Sequence, residues 1–156
     1  MASFQLRGLD PELFAGLLEL DDAALGARQI VRVIATGTSG FPCRVSLADA
    51  QVGEELLLLP FQHQPADSPY RASGPVFVRR GAGPAKLRVN EVPTQVQRRL
   101  VSWRAYDADD RIRFAEVCEG IDVGAGLQQA FDDPGVAYVH LHFARYGCYS
   151  CRADRV

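Results

Sequence analysis

The sequence predicts an α+β fold built mainly on antiparallel β-sheet, with an N-terminal amphipathic helix and a second helix near residues 122–132. Three observations lead to this fold class. Several short segments alternate apolar and polar residues, two pairs of them are joined by tight turns, and two other segments repeat apolar residues every three or four positions. The 156 residues, 47% of them hydrophobic, are expected to form a single domain, residues 1–156, that buries a core without disulfides or a metal. The pattern leaves open whether the sheet is barrel-like.

The first thirty-five residues predict a strand, a helix and a second strand. Residues 4–9 alternate like a strand, and Asp10-Pro11 is typical of a helix start because Asp caps the first turn and Pro suits its first position. Apolar residues share one helical face up to Leu18, which predicts a helix over residues 11–20. The β-branched residues of 28–35 favour a strand.

The middle of the chain predicts two strands separated by a long loop. Residues 36–42 are expected to turn, and Leu56–Leu59 is expected to be a buried strand that Pro60 ends. Residues 61–75 hold three prolines and predict an ordered loop of a length that is often functional. A further strand is expected at residues 76–80.

Two hairpins and a helix are predicted in the last third. Residues 99–106 and 111–118 alternate on either side of an Asp-rich turn, which is typical of a β-hairpin. Residues 122–132 carry a helical apolar stripe, and Asp133-Pro-Gly follows it. The chain then predicts a second hairpin that turns through Arg145-Tyr-Gly147.

Composition excludes several classes of protein. A net charge of −2 argues against a dedicated nucleic-acid binder, and no apolar run approaches the length of a membrane span. Among the seventeen basic residues only Lys86 is a lysine, and it lies in no nucleotide-binding motif, which argues against lysine-based chemistry. The arginine surplus is typical of a GC-rich genome. No secretory signal is visible, so we expect a cytoplasmic protein whose cysteines are thiols.

The final hairpin carries most of the residues with chemical potential. The two-residue period of a strand places Tyr138, His140 and His142 on one face, which we expect to look into a cleft or solvent. A three-residue turn would bring Cys148 onto that face, whereas a two-residue turn would bring Cys151 there instead. We favour Cys148.

Two interpretations of this histidine face remain open. His140, His142 and Cys148 could bind zinc or iron, with His63 or Cys43 completing the site, or could serve a Cys/His-dependent enzyme. The alternative is a polar face that pairs with carboxylates on a neighbouring strand. The pattern favours this alternative, because no second metal-binding motif accompanies His-X-His.

Two further cysteine arrangements are candidates for thiol chemistry. Cys43 precedes Arg44, and a neighbouring guanidinium can activate a thiol, although a buried structural cysteine is the commoner outcome. Cys148-Tyr-Ser-Cys151 has the spacing of a redox motif, but it lies inside a predicted strand rather than at a helix start. We therefore expect no thioredoxin-like role.

The sequence favours a ligand-binding or interaction module over an enzyme. We expect a pocket between the turn at residues 42–44, the loop at residues 61–75 and the final hairpin, holding an anionic group of a small molecule or a protein. The candidate ligand-binding residues are Arg44, Arg71, Arg145, His63 and Tyr70.

Four segments together resemble a known bacterial family. They are Phe41-Pro-Cys-Arg44, the proline-rich block Ser68–Phe77, Arg104-Ala-Tyr-Asp107 and His142-Phe-Ala-Arg-Tyr-Gly-Cys-Tyr149. In this order they resemble domain-of-unknown-function family 1203. The resemblance implies a single-domain bacterial protein of about this length, and it assigns no activity and no catalytic residue.

Overall fold

A computed structural model describes all 156 residues and shows an α+β fold with antiparallel sheets, as predicted. The strands are β1 (Phe4–Arg7), β2 (Val31–Ile34), β3 (Glu55–Gln64), β4 (Ala72–Arg79), β5 (Leu100–Tyr106), β6 (Ile112–Glu119), β7 (Tyr138–Phe143) and β8 (Tyr149–Arg155). The α-helices are α1 (Asp22–Ala27), α2 (Thr94–Gln97) and α3 (Val123–Asp132), and short 3-10 turns lie at Pro11–Phe14, Leu17–Glu19 and Gly120–Asp122. No helix combines the length and apolar character needed to cross a membrane.

The larger sheet has five strands in the order β1-β8-β7-β5-β6, and every neighbouring pair is antiparallel. One face is apolar because alternate residues of the strands, such as Trp103 and Leu141, point toward α3. Helix α3 covers this face with Val123, Leu127 and Phe131. The predicted hairpin β5–β6 and the predicted helix at 122–132 are both confirmed.

The smaller sheet has three strands in the order β2-β3-β4, and neither sheet closes on itself. Its core includes Leu57, Leu59 and Val76, packed under residues of the N-terminal segment. The segment that follows β2 returns to the edge of β4, where Cys43 forms a parallel bridge with Phe77.

The prediction of a fifteen-residue loop at 61–75 is wrong, because residues 61–64 belong to β3 and residues 72–75 belong to β4. Strand β3 runs past Pro60 to Gln64, and Pro60 lies opposite Pro75 in β4. Strand β2 reaches only as far as Leu58, so the other side of β3 has no partner at Pro60 and no ladder hydrogen bond is lost there. Only residues 65–71 remain as a loop.

The predicted helix at 11–20 is also wrong, since the segment forms two 3-10 turns instead. Gly16 interrupts the helical pattern with a φ of 80°, in the left-handed region that glycine adopts readily. Helix α1, which begins after the capping side chain of Asp21, is the helix that forms in this region.

Candidate functional site

The turn of the final hairpin determines which side chains join the histidine face. The turn spans residues 144–147: Gly147 adopts a φ of 78°, and the Phe143 N–H donates to the Cys148 carbonyl at 2.9 Å. One extra residue in β8, Ser150, forms a β-bulge that places Tyr149 opposite His142. The predicted register is therefore wrong, and Tyr149 rather than Cys148 shares the face of His140 and His142.

The histidine face is buried, not open to a cleft or solvent as predicted. His140 is 3% exposed and His142 is 1% exposed, because β7 is the central strand of its sheet and β3 covers its second face. Burial lowers the pKa of His140 to about 3 and that of His142 to about 4. Both imidazoles are therefore neutral at physiological pH.

The contacts of His142 determine its tautomer. Its Nε2 lies 3.2 Å from Nη1 of Arg104, which can only donate, so Nε2 accepts. Its Nδ1 lies 2.9 Å from the Gly147 carbonyl oxygen, so Nδ1 carries the proton and donates. Both nitrogens are thus occupied in the neutral form, which leaves His142 no free lone pair for a metal.

His63 lies on β3 and packs against the two buried histidines. The sequence predicts a loop at this position. The ring of His63 stacks on Tyr149 at 5.3 Å between centroids and lies 5.1 Å from the ring of His142. We call His63, His140 and His142 the histidine cluster. No group of three or more His, Cys, Asp or Glu side chains has an arrangement suited to a metal ion, so the structure does not assemble His140, His142 and Cys148 into the candidate metal-ligand set.

A hydrogen-bonded chain fixes one end of this cluster. Gln64 Nε2 donates to the hydroxyl of Tyr138 at 3.0 Å, and that hydroxyl donates to Asp110 Oδ1 at 2.6 Å. Burial and the neighbouring carboxylate raise the pKa of Tyr138 well above its ordinary value. Ser68 also donates to the Asp110 carbonyl oxygen at 3.0 Å, so the loop at residues 65–71 is fixed to the β5–β6 turn.

A separate pocket of about 610 Å³ lies beside the final hairpin, between the two sheets' edges and the segment before β3. We call it the arginine pocket. Its walls combine basic, aromatic and aliphatic side chains with one thiol. These side chains are Arg44, Arg98, Arg99, Arg145, Tyr146, Cys148, Leu58, Phe77, Leu100 and Phe143. The lining contains four guanidinium groups and no carboxylate. This volume is in the range of small-molecule sites.

Arg44 is the buried cation of the pocket, with 3% of its surface exposed. Its Nε donates to the Tyr149 carbonyl at 2.7 Å and its Nη1 donates to the Pro42 carbonyl, whereas Nη2 has no partner within the chain. The eleven ion pairs of the structure include neither Arg44 nor Arg145. Desolvation lowers the pKa of Arg44 to about 10, and the residue is still a cation at neutral pH.

The backbone around Arg44 is held on two sides. Its N–H donates to the Phe77 carbonyl at 2.9 Å, and its carbonyl accepts from the Leu9 N–H at 2.8 Å. The backbone of Arg44 is therefore fixed by strand β4 on one side and by the N-terminal segment on the other.

Two guanidinium groups lie near the ring of Phe143. The Cζ atoms of Arg44 and Arg99 lie 5.1 Å and 5.0 Å from its ring centroid, within the range of cation–π attraction. Asp49 pairs with Arg99 at 2.7 Å and with Arg98 at 3.2 Å, so one carboxylate compensates part of the positive charge. The charge of Arg44 and Arg145 remains without a protein counter-ion.

Comparison with known proteins identifies the family. Residues 40–155 match the family model described as "Protein of unknown function (DUF1203)". The chain belongs to the DUF1203 family. The matched span contains the whole histidine cluster and every residue of the arginine pocket except Ser39. No curated protein and no solved structure matches the chain.

In this DUF1203 protein, the predicted ligand-binding residues are divided between three places. Arg44 and Arg145 line the arginine pocket, and Cys148 lies in its wall. His63 belongs to the histidine cluster. Arg71 and Tyr70 lie on the exposed loop at residues 65–71, where the ring of Tyr70 packs 6.1 Å from that of Tyr106.

Cys43 and Cys148, the candidate nucleophiles, do not meet the histidines in the way the enzyme hypothesis requires. Cys43 is fully buried, and its sulfur accepts from the Arg79 N–H at 3.4 Å. Cys148 is partly buried in the pocket wall, on the side of the strand away from the histidine face.

Sequence reasoning missed Arg98, Arg99 and Phe143 as pocket residues of this family member. The pair Arg98-Arg99 directly precedes β5, and a doubled arginine at a strand start was an available signal. Strand alternation alone favours a core position for Phe143, and the two arginines near its ring show that it also faces the pocket.

Proposed function

We propose that the chain is a binding module for a small organic anion, with a carboxylate or phosphate group on an apolar or aromatic body. The observation that carries this proposal is the buried Arg44, which lines a pocket and has no carboxylate partner. A buried cation without a counter-charge is costly, and an anion in the pocket would offset that cost while accepting the free Nη2 hydrogens. An anionic ligand would therefore explain why Arg44 lines an open pocket with no carboxylate beside it.

The walls of the pocket support an organic ligand over a bare ion. Phe77, Phe143 and Leu58 provide apolar surface, and the exposed Tyr146 lies at the rim. Small-molecule pockets typically have mostly apolar walls and a few polar groups that fix the orientation of the ligand. Arg145, exposed on the same rim, is suited to steering an anion inward.

The cellular setting we infer for this module is the bacterial cytoplasm. All four cysteines are free thiols in the structure, which supports a reducing compartment. The family resemblance supports a bacterial source.

Calorimetric titration with simple probes tests the proposal. We expect phenyl phosphate and benzoate to bind, and benzyl alcohol, which has the same ring without the charge, not to bind. Inorganic phosphate should bind more weakly than phenyl phosphate because it lacks the ring. Raising the salt concentration should weaken binding of every anion, because exposed charges are screened. The ratio of phenyl phosphate to benzoate affinity distinguishes a phosphate site from a carboxylate site.

Two arginine variants provide the matched comparison. Arg145→Gln should weaken phenyl phosphate binding about fivefold, since it removes one charge-assisted contact at the exposed rim. Arg71→Gln, an exposed arginine outside the pocket, should leave binding unchanged. Equal effects of the two substitutions, or equal affinity for benzyl alcohol and phenyl phosphate, would contradict the proposal.

A further inference from the structure

Cys148 is the one cysteine that lies in the wall of the arginine pocket. Cys43 and Cys151 are fully buried, and burial raises the pKa of Cys151 to about 12. Cys118 is partly buried, like Cys148, but lies on β6, the edge strand of the larger sheet, and does not line the pocket. The chain therefore offers two accessible thiols in two different surroundings.

The charges around these two thiols are opposite. Cys148 shares its pocket with Arg44 and Arg145, neither of which has an ion-pair partner. Cys118 lies among carboxylates, namely Glu116, Glu119 and Asp122. A charged reagent that reaches either thiol is thus attracted to one and repelled by the other.

We propose that Cys148 forms mixed disulfides with acidic low-molecular-weight disulfides, whose carboxylates are held by the arginines of the pocket. This inference rests on the proposed anion-binding function and names a modification site within it. The free Nη2 of Arg44, buried and lining the same pocket, supplies the anion contact that the thiol alone lacks.

The reaction is a thiol–disulfide exchange that needs no other oxidant. The Cys148 thiol gives its proton to solvent, and the thiolate attacks one sulfur of the small disulfide. The bond from Cys148 sulfur to that sulfur forms as the original disulfide bond breaks. The second half of the reagent leaves as a thiolate and takes up a proton, so one protein thiol is exchanged for one small thiol.

The experiment measures reaction rates of the intact protein with glutathione disulfide, which is acidic, and cystamine, which is basic. Mass spectrometry of the Cys118→Ser variant follows Cys148, and the Cys148→Ser variant follows Cys118. Each rate is divided by the rate at which 2-mercaptoethanol reacts with the same disulfide, which corrects for the different intrinsic reactivity of the two disulfides. Peptide mapping of the unmutated chain gives the same two rates without a substitution, so the test does not depend on either variant folding.

We expect Cys148 to prefer glutathione disulfide over cystamine about tenfold and Cys118 to have the opposite preference. Arg145→Gln should reduce the preference of Cys148, and high salt should bring both ratios toward one. The same preference at both cysteines, or reaction at Cys118 with none at Cys148, would overturn the inference. If phenyl phosphate binds while Cys148 shows no acidic preference, this inference fails alone. If phenyl phosphate does not bind, the proposed function fails.

Discussion

Acidification from pH 7.5 to 5.0 should destabilise the protein through the histidine cluster. Buried His140 and His142 have pKa values of about 3 and 4, whereas an imidazole in the unfolded chain has a pKa near 6.5. Below pH 6.5 the unfolded chain binds protons on these side chains and the folded chain does not, so stability falls as pH falls. His63, whose pKa is also lowered by burial, acts in the same direction.

The size of the effect follows from the linkage between proton binding and folding. Each buried imidazole costs about 1.4 kcal/mol for every pH unit between 6.5 and its folded pKa. At pH 5.0 that amounts to about 2 kcal/mol for each residue and about 4 kcal/mol for both. This is a large part of the roughly 5–15 kcal/mol by which domains are stable.

Urea denaturation followed by fluorescence is the assay, since Trp103 is the single tryptophan and is buried. His140→Phe should reduce the loss from His140 and His142 between pH 7.5 and 5.0 to about 2 kcal/mol, because it removes one of these two imidazoles and keeps a ring among Tyr106, Tyr138 and Tyr149. Tyr106→Phe, which changes a neighbouring ring without removing an imidazole, should retain the full loss. A stability that is flat over this range, or a His140→Phe variant with an unchanged slope, would refute the reasoning.

Further predictions concern packing and hydrogen bonding. Gly120→Ala should lower the free energy of unfolding by about 3 kcal/mol or prevent folding, because the new Cβ would lie 1.9 Å from the Val96 carbonyl oxygen. Gly26→Ala, where a Cβ meets open space within α1, should instead stabilise the protein by about 0.5–1 kcal/mol. Both are measured by urea denaturation, and a loss in Gly26→Ala equal to that in Gly120→Ala would contradict the argument. Tyr138→Phe should cost about 1–2 kcal/mol and speed hydrogen exchange in the loop at residues 65–71, since it removes the hydroxyl that joins Gln64 to Asp110. Unchanged exchange there would show that the hydroxyl does not order the loop.

The fold class was predictable because its main signals are local. Alternation of apolar residues defined the β5–β6 hairpin, and a 3.6-residue pattern with a Pro-Gly stop defined α3. Residues 11–20 had an equally clear helical pattern, yet Gly16 in the left-handed region divides it into two short turns. The periodicity of apolar residues shows which face of a helix would be buried, but it does not show whether the helix is interrupted.

The prolines of the middle segment misled for a different reason. Proline is excluded from a strand only where a neighbour needs its N–H, and Pro60 lies beyond the end of β2. Which strand neighbours another is a property of the tertiary fold. The sequence around Pro60 therefore could not distinguish a strand from a loop, and His63 was assigned to the wrong element.

The candidate site was predictable in part. The chain does place the turn at residues 42–44 beside the final hairpin, with Arg44 and Arg145 on one pocket. The position of Cys148 was not predictable, because a single bulge residue, Ser150, changes which side of the strand each side chain occupies. Burial of the histidine face was also hidden, since β3 covers it from a distant part of the sequence.

The central claim is that Arg44 and its neighbours in the arginine pocket bind an organic anion. The most direct measurement is a titration with phenyl phosphate followed by the NMR signals of the arginine Nε–H groups. The account predicts that the signals of Arg44, Arg99 and Arg145 shift together and saturate, while that of the exposed Arg71 stays in place. Shifts that do not saturate, or an Arg71 signal that moves as far as that of Arg44, would contradict it.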